Sequence, residues 1–410
     1  MSELLNKSVM KFFKINDQPD IEITISDSIP ELCFDKSKLE ILNKYKNMIN
    51  EVRNVKIWDF CKKLSNPYEL LHHYIKNKNS NLGIANYDPM SRSFFKLWEI
   101  FHDFDLIDVN NKNIVYGALA EGPGGFIEAF NFYRRKYSDN NNDTVNCITL
   151  KPYSSQIPGW NKSGRIFKEC GSYNISWGVD DTGDLYNLEN IKYFSNLFKN
   201  NKADLVTADG GFDFSDDYSN QEQYAVRLIL SEILTGFFIL KKGGCMVIKI
   251  YDIFHYVTVD ILYLLSYYFE NIFITKPYTS RTANSEKYVV CKNFQGVDKN
   301  NLTKLCTIIQ EYHIIHDQHK YVNRILKNKI PDDFYNLVES LNIHLISKQL
   351  KSILKAVIYS KLKLTNNDIN SIKNEQTVYS LSWCNKYNFP INNRCKYLNK
   401  TNPYNYIPNF

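Results

Sequence analysis

Between Ile114 and Cys291 the chain alternates short apolar runs with longer amphipathic stretches. The runs Ile114–Leu119, Val145–Leu150, Ala203–Ala208, Cys245–Ile250, Asn271–Thr275 and Lys287–Cys291 have strand length and strand composition. The stretches Phe126–Tyr133, Gln221–Leu240 and Val257–Phe269 fit helices that lie between them. Alternation of this kind predicts an α/β fold, with a mainly parallel sheet covered by helices on both faces. Gly243-Gly244, just after Leu240, reads as a helix stop before the next strand.

On either side the pattern changes. Ile41, Tyr45, Met48 and Val52 form one helical stripe, Ile57–Leu64 a second helix, and Pro67 opens a third through Ile75. Asn77–Tyr87 is polar and reads as a loop. Ser91–Phe104 is amphipathic, with Phe94, Leu97, Phe101 and Phe104 on one side and Arg92, Lys96, Glu99 and Asp103 on the other. After Phe294, helices are expected at Leu302–Tyr312, Phe334–Ile346 and Lys348–Leu362, and the tail after Lys373 shows little periodicity. The expected organisation is a helical N-terminal extension (1–88), a central α/β domain (89–295) and a mostly helical C-terminal extension (296–410).

Composition narrows the classes. Of 410 residues 44% are hydrophobic and 14% aromatic, enough for a packed core. The nine cysteines form no Cys-x-x-Cys pair, so no zinc pattern or disulfide framework is expected. Met1–Asp20 lacks the apolar core of a signal peptide, and Leu228–Leu240 is too short to span a bilayer and contains Glu232. A soluble protein of the cytoplasm or nucleus is expected, with no membrane partner. The net charge of +6 is unevenly placed: residues 296–410 hold 16 Lys+Arg against 8 Asp+Glu, leaving the first 295 at −2. A basic extension beside a near-neutral domain suits a phosphate-rich partner.

Chemistry gathers where an α/β fold places it. Ile114–Leu119 runs into Gly122, Pro123, Gly124 and Gly125, and a helical segment begins at Phe126. Strand, glycine turn and helix let backbone approach a ligand at the carboxyl end of a parallel strand. The spacing is neither Gly-x-Gly-x-x-Gly nor a P-loop. Three further strand positions deliver charge to the same region: Asp209 before Gly210-Gly211, Lys249 closing Cys-Met-Val-Ile, and Glu286 ahead of the last strand. A lysine at the end of an apolar strand is costly unless paired or functional.

With those residues in view, the sequence resembles the FtsJ/RrmJ-type ribose 2′-O-methyltransferases. The likeness rests on Ser91-Arg92-Ser93-Phe94-Phe95-Lys96-Leu97, Glu121-Gly122-Pro123-Gly124-Gly125-Phe126, Ala208-Asp209-Gly210-Gly211, Gly243 through Lys249, and Ser280-Arg281 through Val290, in that order. Asp181-Thr182-Gly183-Asp184, Thr207 through Phe212 and Thr282 through Lys292 bring it closer to the cap-specific mRNA enzymes of eukaryotes and large DNA viruses.

The resemblance implies a Rossmann-like methyltransferase domain that uses S-adenosylmethionine. It implies a catalytic tetrad of Lys96, Asp209, Lys249 and Glu286, with no metal. Cofactor contacts would fall on Glu121, Gly122, Pro123, Gly124, Gly125, Phe126, Gly183, Asp184 and Asp209. Many members carry an acid before the glycine turn; here that place is Ala118, and Glu121 stands inside the turn. Chemically, a ribose hydroxyl needs a base, and a lysine serves if burial and a neighbouring cation lower its pKa. Lys249 is the expected base and Lys96 the neighbouring cation. Arg92, Ser280, Arg281 and the stripe Lys348, Lys351, Lys355 are candidates for RNA contact. Capped mRNA is the expected substrate; a ribosomal or transfer RNA, or a catalytically silent RNA-binding subunit, are the alternatives. Other capping or transcription enzymes are candidate partners of the extensions, and oligomeric state has no signature in the sequence.

Overall fold

The computed structural model describes residues 8–398 apart from 53, 73, 76–79, 82, 140–141, 155–156, 170, 212–219, 319 and 396. Phe212 of the motif above, Cys170 and Asn77–Asn79 lie outside the described residues.

Twelve strands are described: β1 (Val9–Phe12), β2 (Ile21–Ser26), β3 (Tyr74–Ile75), β4 (Ser80–Asn81), β5 (Val115–Leu119), β6 (Thr144–Ile148), β7 (Ser172–Ser176), β8 (Ala203–Ala208), β9 (Leu240–Ile250), β10 (Phe269–Thr275), β11 (Lys287–Phe294) and β12 (Tyr321–Leu326). Eight of them form one sheet in the order β1-β10-β11-β9-β8-β5-β6-β7. From β7 across to β9 every neighbouring pair is parallel; β11, β10 and β1 then add on antiparallel. All five residues of β5 are buried, as a central parallel strand requires. Apolar residues alternate between the two faces: Val206 and Ile248 belong to one core, Leu205 and Val247 to the other. From β5 the chain steps outward to β6 and β7, then returns to β8 on the other side. That reversal opens a crevice above the carboxyl ends of β5 and β8, the ligand position in open α/β sheets.

Several elements differ from the expectation. Gly243-Gly244 does not end a helix: the helix stops at Ile239 and the glycines lie inside β9, with Gly243 at φ +81°. β7 has four exposed residues of five, so it lacks the apolar run that marks a strand. The Pro67 segment gives only a 3-10 turn at Glu69–Leu71, followed by the β3–β4 pair. Asp332–Lys361 is one continuous helix where two were expected. Asn366–Lys386 is a further helix, and its start was readable: Thr365 and Asp368 form a reciprocal capping box. No helix among the described residues is long and apolar enough to cross a membrane.

The extensions are woven into the sheet domain. β1 pairs with β10, setting Met10 opposite Ile274, and β12 pairs with β2. Trp98 donates from Nε1 to the Tyr387 carbonyl, and Phe95 packs edge-on to Trp383. Asp260, fully buried on the Tyr256–Tyr268 helix, accepts the Arg324 fork at 2.8–3.0 Å and the Ile325 and Leu326 amides. Burial still pushes its carboxyl up, against the pull of Arg324. A carboxyl raised in the folded protein weakens the fold as pH climbs above its unfolded value. Arg324→Met should therefore cost about 3 kcal/mol at pH 8, and distinctly less near pH 5, because acid favours the neutral form of a buried, unpaired Asp260. Denaturant unfolding at the two pH values checks this; an equal loss at both would contradict it.

Candidate active site

The crevice is a cleft of about 1060 Å³ whose walls include Arg92, Lys96, Glu121, Asp184, Asp209, Lys249, Arg281 and Glu286. The four residues of the expected tetrad come from different parts of the topology. Lys96 projects from the Ser93–Phe104 helix, Asp209 follows β8, Lys249 sits near the end of β9, and Glu286 immediately precedes β11. Lys96 Nζ lies 2.6 Å from Glu286 Oε1. Lys249 Nζ lies 3.2 Å from Asp209 Oδ1 and donates to the Asp209 carbonyl at 2.7 Å. The Tyr288 hydroxyl donates to Asp209 Oδ1 at 2.9 Å and sits 3.3 Å from Glu286 Oε1. The four charged side chains expected together in the sequence thus share one cleft, each between 11% and 15% exposed.

Their electrostatics differ from the expectation in one respect. Burial lowers the Lys249 amine, but Asp209, Tyr251 and Glu286 together outweigh it and hold the ammonium above the ordinary lysine range. Lys96, the cation expected to depress it, is instead neutralised by Glu286. Burial raises the Glu286 carboxyl, and Lys96 followed by Lys249 overcome that and bring it down to about 2. In this structure Lys249 is therefore a charged donor.

The glycine turn divides in two. Glu121, Gly122 and Pro123 line the cleft. The Glu121 carboxyl is 4% exposed, accepts from Tyr116 at 3.1 Å and from Thr207, and is pushed well up by its burial. It occupies the cleft wall, whereas Ala118 is buried inside β5. Gly124, Gly125 and Phe126, expected at the cofactor, do not line the cleft. A Cβ on Gly125 would come within 2.1 Å of Ser93 Oγ, and one on Gly124 within 3.2 Å of Ile166, so these glycines let chain segments approach one another. Phe126 is buried against the Tyr288 ring at 5.7 Å. Gly183 and Asp184 do reach the cleft; a Cβ on Gly183 would meet the Thr149 carbonyl at 1.9 Å.

The FtsJ-like methyltransferase profile matches residues 89–294, half of the chain. The chain belongs to this family. Over 323 residues it is 28% identical to a protein of Dictyostelium discoideum named cap-specific mRNA (nucleoside-2′-O-)-methyltransferase 1, covering 76% of this chain and 41% of that one. Proteins of the same name match from Trypanosoma cruzi, 30% identical over 45% of this chain and 49% of that one, and from Homo sapiens, 31% identical over 57% and 28%. The chain spans less than half the length of these relatives.

In this FtsJ-like methyltransferase the RNA-contact candidates separate. Arg92 and Arg281 line the cleft. Ser280 is 1% exposed and donates to Glu286 Oε1 at 3.0 Å, so it braces the carboxylate and is closed to a ligand. Lys348, Lys351 and Lys355 do not line the cleft. Lys348 is half-buried and donates to Ser8 Oγ at 2.7 Å, and the Lys355 amine stands 5.8 Å over the Tyr359 ring. The same helix turns Gln349 toward the site, donating to the Ala283 carbonyl at 3.1 Å.

Other residues of the site were not expected there from the sequence. Glu99 is 1% exposed and accepts the Tyr278 and Thr279 amides at 2.7 and 2.8 Å, tying the helix of Lys96 to the loop of Arg281 and Glu286. Lys276, partly buried and lowered to about 7 by desolvation, donates to the Asn284 carbonyl and the Glu286 carbonyl at 2.9 and 2.6 Å. Glu232 lies under the Asp209-Gly210 turn, 1% exposed and raised to about 8 by burial, with Oε1 unpartnered among the described residues. Its signal was a charge in the middle of an apolar helix. Because Gly124 holds φ +104° beside packed Ile166, Gly124→Ala should reduce stability by about 1–2 kcal/mol. A thermal melt decides the point, and an unchanged melt would contradict it.

Proposed function

We propose that this chain is an S-adenosylmethionine-dependent RNA ribose 2′-O-methyltransferase acting on the first transcribed nucleotide of capped mRNA. The observation that carries the reading is the meeting of two lysine–carboxylate pairs, Lys96–Glu286 and Lys249–Asp209, in one cleft at the sheet's switch point. The mRNA-cap substrate is supported by the relatives' names. The Dictyostelium match also runs well beyond the family segment, so part of the extensions shares in it. Residues 89–295 form the proposed catalytic unit, with 1–88 and 296–410 flanking it.

The cleft suits the cofactor. Glu121 is a buried carboxyl whose hydrogen-bond donors are hydroxyl groups, a setting that a bound cationic group would complement. Glu121, Gly122 and Pro123 would hold one side and Gly183 and Asp184 the other. S-adenosylmethionine supplies an electrophilic methyl group on a sulfonium. Everything else falls to the chain's own groups, and alignment contributes heavily to an in-line transfer. The Lys249 amine, fixed by two oxygens of Asp209, donates to the ribose hydroxyl oxygen and sets its direction; in the free-amine form it takes the hydroxyl proton. Lys96 and Tyr288 keep Glu286 and Asp209 in place.

Two outcomes follow. Lys249→Met should lower methyl transfer about a thousandfold while cofactor affinity by calorimetry stays within a few-fold; the assay compares capped and uncapped RNA of one sequence, followed by nucleoside analysis. Because carboxylates hold the Lys249 ammonium up, the rate should climb with pH as the free amine appears. Glu286→Gln removes one of those carboxylates and leaves Lys96 unneutralised, so the rising limb of kcat should move to lower pH. A limb that stays put or moves up would remove Lys249 as the group that titrates.

A further inference from the structure

The N-terminal extension sends one acid to the lip of the cleft. Glu69, 8% exposed, accepts Arg281 at 3.0 Å from Nη2 and 3.3 Å from Nε, and its Oε1 lies 3.7 Å from Arg92 Nη1. Asn66 donates to Glu69 Oε2 at 2.6 Å and fixes the carboxylate from behind. Arg92 opens the helix that carries Lys96, and Arg281 sits in the loop that carries Glu286; both line the cleft. One carboxylate thus serves two guanidinium groups at the rim. Arg92 Nη1 has no hydrogen-bond partner among the described residues.

We propose that Glu69 is a positioning residue: it pre-orients Arg92 and Arg281 as a pair that takes a phosphate of the RNA strand entering the cleft. The inference rests on the RNA reading above. Guanidinium forks bind phosphate through directed hydrogen bonds, so a fork already held in direction loses less freedom on binding than a free one. Burial raises the Glu69 carboxyl, but Arg92 and Arg281 overcome it and keep it ionised.

The sign of the effect separates this role from bulk charge. Glu69→Gln removes a negative charge beside a phosphate path, so charge alone predicts tighter RNA binding. Pre-orientation predicts binding weaker by about tenfold, with the loss falling on KM for RNA more than on kcat. Glu69→Asp keeps the charge but cannot reach both arginines, and it should weaken binding as well. Arg281→Lys should weaken binding to a similar degree, and the Glu69→Gln, Arg281→Lys double variant should be no weaker than the worse single. Fluorescence anisotropy with a short 5′-capped RNA reads all four, and thermal melts confirm that each variant is folded. Equal or tighter binding by the two Glu69 variants, or additive losses in the double, would overturn the inference while wild-type RNA binding stands. No RNA binding by the wild-type chain would instead overturn the RNA reading, and this inference with it.

Discussion

Two ammonium groups and two carboxylates lie in one partly closed cleft, and none of them could be placed there without the others. Removing one partner from such a set leaves an uncompensated charge in a poor solvent, at a cost of several kcal/mol. The pairing is lengthwise along the topology: Lys249 with Asp209 from adjacent parallel strands, Lys96 with Glu286 from a helix and a loop far apart in sequence. The strand pair is set by the sheet itself, since Ala208 stands opposite Ile248 in the register. The second pair has no ladder to fix it. It depends on polar contacts that hold the loop and the helix at one distance.

Those contacts come largely from outside the sheet. Glu99 captures the start of the loop, Lys276 its end, and Ser280 the carboxylate of Glu286. Gln349 braces the loop from the C-terminal helix and Glu69 from the N-terminal segment. Buried polar groups of this kind are satisfied as a network, so a change at one is felt at the others. The site is thus built on rigid strands on one side and on a cross-braced loop on the other.

The parallel core was legible because buried strands must be apolar on both faces, and β5, β8 and the second half of β9 show it as short runs. β7 was not legible: it is an outer strand with exposed Tyr173 and Ile175, so burial left no pattern in it. β1 earns its place by pairing with β10, a distant partner that local periodicity cannot reveal. Among site residues, Lys96, Asp209, Lys249 and Glu286 announced themselves by charge at strand ends or by motif order. The ionisation state of Lys249 did not, because it is set by which carboxylate stands nearer in space. The glycines of the turn were legible as glycines, yet what approaches Gly125 is the hydroxyl of Ser93.

β1 has a consequence for how the chain can be cut. The family segment 89–294 contains every motif but not Val9–Phe12, whose backbone covers the outer edge of β10. A fragment trimmed to that segment would present Phe269–Thr275, with its run Ile272-Phe273-Ile274, as an open strand edge. Open apolar edges recruit strands from other molecules. The extension therefore covers an edge of the central sheet that trimming to the family segment would leave open.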